Sequence, residues 1–108
     1  MSGYAAGRRV EYRWSHYFQD NGYEVQRGAS SKGVADLIAI KPGQVLLVNV
    51  KKAAMPGPEE RRYLARVAAM LPGVAVPVIA RGKNLLRVTD DGTDPRACVP
   101  FTVEEVAP

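Results

Sequence analysis

Three side chains in this sequence are of types that do chemistry together: Asp36, Asn49 and Lys51. They stand at the ends of two apolar runs, Ala35 to Ile40 and Val45 to Val50, joined by Lys41-Pro42-Gly43-Gln44. Runs rich in Val, Ile and Leu on either side of a Pro-Gly pair predict a β-hairpin. With Pro42 and Gly43 as the central turn residues, Lys41 lies opposite Gln44, Ile40 opposite Val45 and, counting outward, Asp36 opposite Asn49. Opposed residues point to one sheet face with Cβ atoms about 4.5–5.5 Å apart, and Lys51, two residues on, joins them. A carboxylate, an amide oxygen and an amine on an otherwise apolar sheet are costly unless something binds there. With Glu11 as a third oxygen ligand, the set suits magnesium or manganese, hard cations that keep several waters and also take a substrate phosphate. The chemistry expected is phosphodiester hydrolysis: a cation polarises a phosphoryl oxygen and activates water, while Lys51 orients or helps deprotonate that water and offsets charge on the phosphate. The plainer alternative is that Asp36 merely starts a strand and Lys51 merely ends one. The register rests on the turn, because L-Pro-Gly favours type II geometry, which fits a two-residue hairpin poorly, and an odd loop would shift every pair.

Glu11 is placed by the segment Tyr4 to Asn21, where Val10, Trp14, Tyr17 and Phe18 recur at helical spacing before the Asn21-Gly22 stop. One residue, about 100°, from Val10, Glu11 borders the buried stripe. Read locally, it is also a surface acid paired with Arg8 or an adjacent arginine. Tyr23 to Arg27 alternates as a short strand with one wet face, leading into a sheet edge. The small, polar, basic loop from Gly28 to Gly33 can lie against a phosphate backbone, or be a plain solvent loop. After Pro56-Gly57-Pro58 a second helix, Glu59 to Leu71, is expected to bury Tyr63, Leu64, Val67, Ala68 and Leu71 and to expose Arg61, Arg62 and Arg66 in part. Val74 to Arg81 reads as a strand, with Pro77 suggesting an edge or a bulge. Leu85 to Val88 is its hairpin partner, Thr89 to Pro100 a turn-rich loop, and Phe101 to Val106 a tail strand or packed coil. This order predicts an α/β fold with a central mixed sheet flanked by helices.

The 108 residues, 46% of them hydrophobic, suffice for one compact domain and contain no linker-like segment, so a single domain over 1–108 is expected. Fifteen Lys and Arg against eleven acids give a net charge of +4, a moderate bias toward anionic partners, nucleic acid before membrane. No apolar run approaches a membrane span and the N-terminus lacks a signal core, so a cytoplasmic, non-membrane protein is expected. Cys98 and His16 are each alone in the sequence. An internal disulfide and a thiolate cage are thereby excluded, and the lone histidine argues against a His-based zinc site or a Ser-His-Asp triad.

At the candidate residues the sequence resembles the PD-(D/E)xK nuclease superfamily, and more closely the archaeal-type and phage Holliday junction resolvases. The likeness lies in G-R-R-V-E at 7–11, R-G-A-S-S-K-G at 27–33, A-D-L-I-A-I-K at 35–41 and V-N-V-K at 48–51, roughly the first half of the chain. It implies a restriction-endonuclease-like fold, Glu11 and Asp36 as catalytic metal ligands, Asn49 at the third ligand position, and Lys51 as the catalytic lysine. Arg27 and Ser30 or Ser31 are implied to contact the scissile region of DNA. Arg8, Arg9 and Lys32 supply further positive charge for phosphates. The resemblance also implies a magnesium-dependent endonuclease acting on four-way DNA junctions as a homodimer, since two opposed strands are cut symmetrically. One position departs from the pattern: the residue two before the lysine is usually Glu and here is Asn49. An amide oxygen brings no charge, which leaves two alternatives: a catalytically weak or inactive domain that binds branched DNA, and a duplex-cleaving restriction or repair nuclease.

Overall fold

The computed structural model describes residues 3–28 and 35–103, with side chains from Arg9 onward. Helix α1 (Gly3–Asp20) presents Val10, Trp14 and Phe18 to the interior. It ends where Gly22, at φ +92°, lets the N–H groups of Gly22 and Tyr23 return to the carbonyls of Gln19 and Phe18. Strands β1 (Glu24–Arg27), β2 (Leu37–Lys41) and β3 (Gln44–Lys51) follow, then α2 (Pro58–Ala68), β4 (Ala75–Arg81), β5 (Asn84–Val88), a 3₁₀ turn at Pro95–Ala97 and β6 (Cys98–Pro100). The six strands lie in chain order in one mixed sheet. β3 and β4 are parallel, and α2 is the connection between them; every other neighbouring pair is antiparallel.

The hairpin register expected from the turn holds. Lys41 pairs with Gln44, Ile40 with Val45 and so outward to Leu37 with Val48. Gly43 takes φ +80°, the conformation that the second central residue of a Pro-Gly turn requires. β1 is an edge strand, with Glu24 and Gln26 exposed and Val25 packed inward, as its alternation predicts.

Helix α1 covers one face of the sheet, packing on Leu37, Ala39, Leu46, Val48, Val78 and Ala80. Helix α2 covers the other, packing on Ala35, Leu47 and Ile79. Its buried residues are Arg61, Leu64, Ala65 and Ala68, a stripe at i, i+3, i+4 and i+7. This corrects the expected stripe: Leu64 and Ala68 are buried, but Tyr63 is 41% and Leu71 51% exposed. The inward place goes to Arg61, whose guanidinium donates to the carbonyls of Pro56 (2.7 Å), Gly92 (3.1 Å) and Thr93 (3.3 Å). A guanidinium buried on three carbonyls clamps the loop after β5 to the start of α2. Gly92 comes so close that a Cβ there would lie 2.5 Å from the Arg61 backbone.

Two further expectations are corrected. The Thr89 to Pro100 stretch is not all loop, for its end forms β6, beside which Phe101 donates its N–H to the Leu85 carbonyl. Phe101 and the buried Val103 then continue as packed coil. Pro77 lies neither on an edge strand nor at a bulge, since β4 has neighbours on both sides. The bond from Val45 N–H to the Val74 carbonyl fixes the alternation, so that the Pro77 nitrogen points toward β5, one residue beyond the Val78–Arg87 pair where that ladder stops. Its missing donor thus falls at the end of that ladder, where a single bond is forgone.

Arg61→Ala leaves three carbonyls without their buried donor and should cost about 3 kcal/mol in denaturant unfolding, while Arg62→Ala, on the exposed face, should stay within about 0.5 kcal/mol. Arg61→Lys should recover little, because one ammonium cannot reproduce the fork.

Candidate functional site

The polar end of β3 carries two of the sequence-predicted residues, Asn49 and Lys51. Asn49 pairs with Ile79 and Lys51 with Arg81 in the parallel ladder, so both point to the face covered by α2. Asn49 is 8% exposed, and its Oδ1 finds no donor among the described residues. The Lys51 amine donates to Glu60 Oε2 at 3.1 Å, and the other oxygen of Glu60 accepts the Gly57 N–H at 3.0 Å. Burial pushes the Glu60 carboxyl up, but the Gly57 N–H and the hydrogen bond and charge of Lys51 outweigh it and hold the group below the usual glutamate range.

Asp36 does not extend the ladder opposite Asn49, as the turn-based count expected. Val48 is the register partner of Leu37, yet its carbonyl also takes the Asp36 N–H at 2.9 Å, so two residues of one strand face one of the other. Ala35 and Ile38, three apart, consequently lie in the same cluster beneath α2, which strict alternation would forbid. The bulge re-aims Asp36: its Oδ2 accepts the Val50 N–H at 2.7 Å, replacing a ladder carbonyl with a carboxylate. The Asp36 carbonyl in turn receives the Gly28 N–H at 2.8 Å, tying it to the end of β1.

Glu11 lies on α1. Among the described residues it pairs with Arg27, at 3.3 Å across sixteen residues of sequence. The Arg27 side chain is 52% and that of Glu11 26% exposed. Arg13 and Trp14 of the same helix donate to the Gly82 carbonyl at 3.2 and 3.0 Å, and the Gly82 N–H donates to the Lys51 carbonyl at 2.8 Å. Helix α1 is thus anchored at both ends of the candidate site, near Asp36 through Glu11 and Arg27 and at Lys51 through Gly82. Arg9 is exposed. Ser30, Ser31, Lys32 and the side chain of Arg8 lie outside the described residues.

Among the described residues no group of three or more His, Cys, Asp or Glu is gathered to hold a metal. The available oxygens are the carboxylates of Glu11 and Asp36 and the amide of Asn49. An amide oxygen buried without a donor fits a hard cation, for which such oxygens are ordinary ligands. Glu60 is the functional candidate that the sequence did not single out. The signal was its place three residues after Gly57, where Glu commonly reaches back to the N-cap.

No helix among the described residues is long and apolar enough to cross a membrane. No curated protein matches the chain. Among solved structures, that of Hjc from Archaeoglobus fulgidus, a Holliday junction resolvase from an archaeal hyperthermophile, superposes with a TM-score of 0.61 at 14% identity, over 93% of this chain and 94% of the other. A mixed sheet with a helix on each face is thereby the restriction-endonuclease-like fold. The family model described as "Archaeal holliday junction resolvase (hjc)" matches residues 2–69, more than half of the chain and all of the elements that carry Glu11, Asp36, Asn49 and Lys51. The chain belongs to the archaeal Holliday junction resolvase family.

Proposed function

We propose that this chain, as a single nuclease domain over 1–108, is a metal-dependent endonuclease that hydrolyses phosphodiesters in four-way DNA junctions, acting as a homodimer. The observation that supports the reading is the buried oxygen of Asn49, without a donor among the described residues, two residues before Lys51 on the strand whose Val50 N–H binds the Asp36 carboxylate. Glu11, Asp36 and Asn49 are the residues that would hold magnesium or manganese, and such an ion, when bound, supplies Lewis-acid activation at the scissile phosphate. The protein's own part is to position and to neutralise. Lys51 offers its amine to the phosphate oxygens as charge builds on them and orients the attacking water. Arg27 holds Glu11 while the site is free; a pair this exposed is worth no more than about 1 kcal/mol, so it yields readily and releases the guanidinium to a phosphate. Arg8, Arg9 and Lys32, with the Ser30 and Ser31 hydroxyls, serve to fix the DNA backbone.

Asn49 itself favours a second reading. It brings an oxygen without a charge, so a domain that binds branched DNA and cuts it weakly or not at all is the competing conclusion. Cleavage of a labelled four-way junction beside a matched duplex, with magnesium, manganese and chelator, separates the two and also separates both from a duplex nuclease.

Lys51→Ala should abolish junction cleavage and leave junction affinity nearly unchanged, and an equal loss of affinity would move Lys51 to the docking residues. Asp36→Ala should abolish cleavage and the protection of the fold by magnesium against heat; metal-dependent protection that survives would remove Asp36 from the site. Asn49→Glu adds a charge beside the cation and should lower the metal concentration for half-maximal cleavage by about tenfold, whatever the maximal rate does. Coincident titrations would show that residue 49 does not face the metal. Each of Arg8→Ala, Arg9→Ala, Arg27→Ala and Lys32→Ala should reduce the slope of log affinity against log salt by about one unit at most. A slope indifferent to all four places the DNA on another surface.

A further inference from the structure

The carboxylate that meets Lys51 comes from a helix and not from the strand that carries the lysine. Position 49, two residues before Lys51 on the same face, holds an uncharged amide whose buried oxygen has no donor among the described residues. Glu60, at the third position of α2, places Oε2 3.1 Å from the Lys51 amine. Its Oε1 is occupied by the Gly57 N–H at 3.0 Å. With both oxygens engaged, the carboxylate has little freedom to swing away. We propose that Glu60 is a positioning residue for Lys51, supplying from α2 the carboxylate that position 49 lacks; the proposal rests on the nuclease reading above.

Capping alone does not account for a charged group here. A helix start needs one acceptor for its N-cap N–H, and Gln serves that end as Glu does. The second oxygen is directed at the amine, and its charge biases a long flexible side chain toward this position while leaving it free to turn to a phosphate. Because α2 begins directly after the loop that leaves Lys51, and because Arg61 fixes that beginning to Pro56, Gly92 and Thr93, the carboxylate is presented from a rigid base. Lys51 is held from the backbone as well, through the Gly82 N–H on its carbonyl. Position 60 meets the amine from α2, while position 49 lies two residues before Lys51 on the same strand face, so the two carry complementary chemistry: charge without strand placement, and strand placement without charge.

The test compares wild type, Glu60→Gln, Asn49→Glu/Glu60→Gln and Lys51→Ala in single-turnover and steady-state cleavage of a labelled four-way junction with magnesium. Melting temperature and the rate at which acetic anhydride acylates Lys51, read by mass spectrometry, are measured in parallel. Glu60→Gln keeps the cap and should melt near wild type, yet lose about ten- to a hundredfold in kcat with KM little changed, as expected when a reacting group is misplaced. Lys51 should be acylated faster once the pairing charge is gone. The decisive variant is the double one: Asn49→Glu should restore much of the kcat lost in Glu60→Gln, since a carboxylate is again beside Lys51, whereas a purely structural role at the helix start would not be rescued from the strand. Wild-type kcat in Glu60→Gln, no rescue in the double variant, or unchanged acylation of Lys51 would each overturn the proposal. A wild-type chain that leaves the junction uncut overturns the nuclease reading instead, and the acylation rates then still decide whether Glu60 holds Lys51.

Discussion

Strand β3 is hydrogen-bonded on both edges and covered on both faces, by α1 through Leu46 and Val48 and by α2 through Leu47. Its central residues, Leu46 to Asn49, are buried, and a polar side chain there must be satisfied by protein or by a ligand. The sequence meets this constraint with an unbroken apolar run and then violates it at Asn49, 8% exposed and with its oxygen unpartnered. The rest of the site is built around that violation. β2 bulges at Asp36 so that a carboxylate enters the ladder at Val50, and α2 starts where its third residue meets Lys51.

The polar contacts divide into two kinds that differ in how easily they exchange. Arg61, 5% exposed, donates to three carbonyls from a buried guanidinium, and it welds the loop after β5 to α2. Glu11 with Arg27 and Lys51 with Glu60 are half-open ion pairs, the kind whose net worth is about 0–1 kcal/mol because solvent competes for both partners. Strong polar contacts hold the scaffold, and weak ones sit on the residues that must change partners when a cation and a phosphate arrive. An α1 fixed by Phe18 and Trp14 in the core can afford such loose contacts at Glu11.

Gly82 shows how backbone geometry links these parts. At φ +58° it occupies the first central position of the turn between β4 and β5, a conformation that glycine adopts without strain. Its carbonyl takes the Arg13 and Trp14 side chains and its N–H the Lys51 carbonyl. One turn residue therefore joins α1 to the end of β3. A change that moves this turn is felt at the lysine without touching it.

The helices, the hairpin and its register, and the grouping of Asn49 with Lys51 were legible in the sequence, because each follows from local rules: a 3.6-residue period, a two-residue period, and the φ values that Pro and Gly impose. The stripe of α2 was misread at Tyr63, Leu71 and Arg61 for a reason local rules cannot supply. Tyr63 is apolar in type but falls outside the arc that meets the sheet, Leu71 lies past the end of α2 at Ala68, and Arg61 is charged but finds three carbonyls from segments as far away as Thr93. Pro77 suggested an edge because the sequence does not reveal that the β4 to β5 ladder stops one residue short of it. The partners of Glu11 and Lys51, sixteen and nine residues distant, and the bulge that re-aims Asp36 were likewise decided only by tertiary structure. Periodicity and turn chemistry are properties of a few neighbouring residues, and so they survive in the sequence alone. Which donor meets which acceptor depends on where separate elements dock, and that is settled by burial of the whole apolar surface at once.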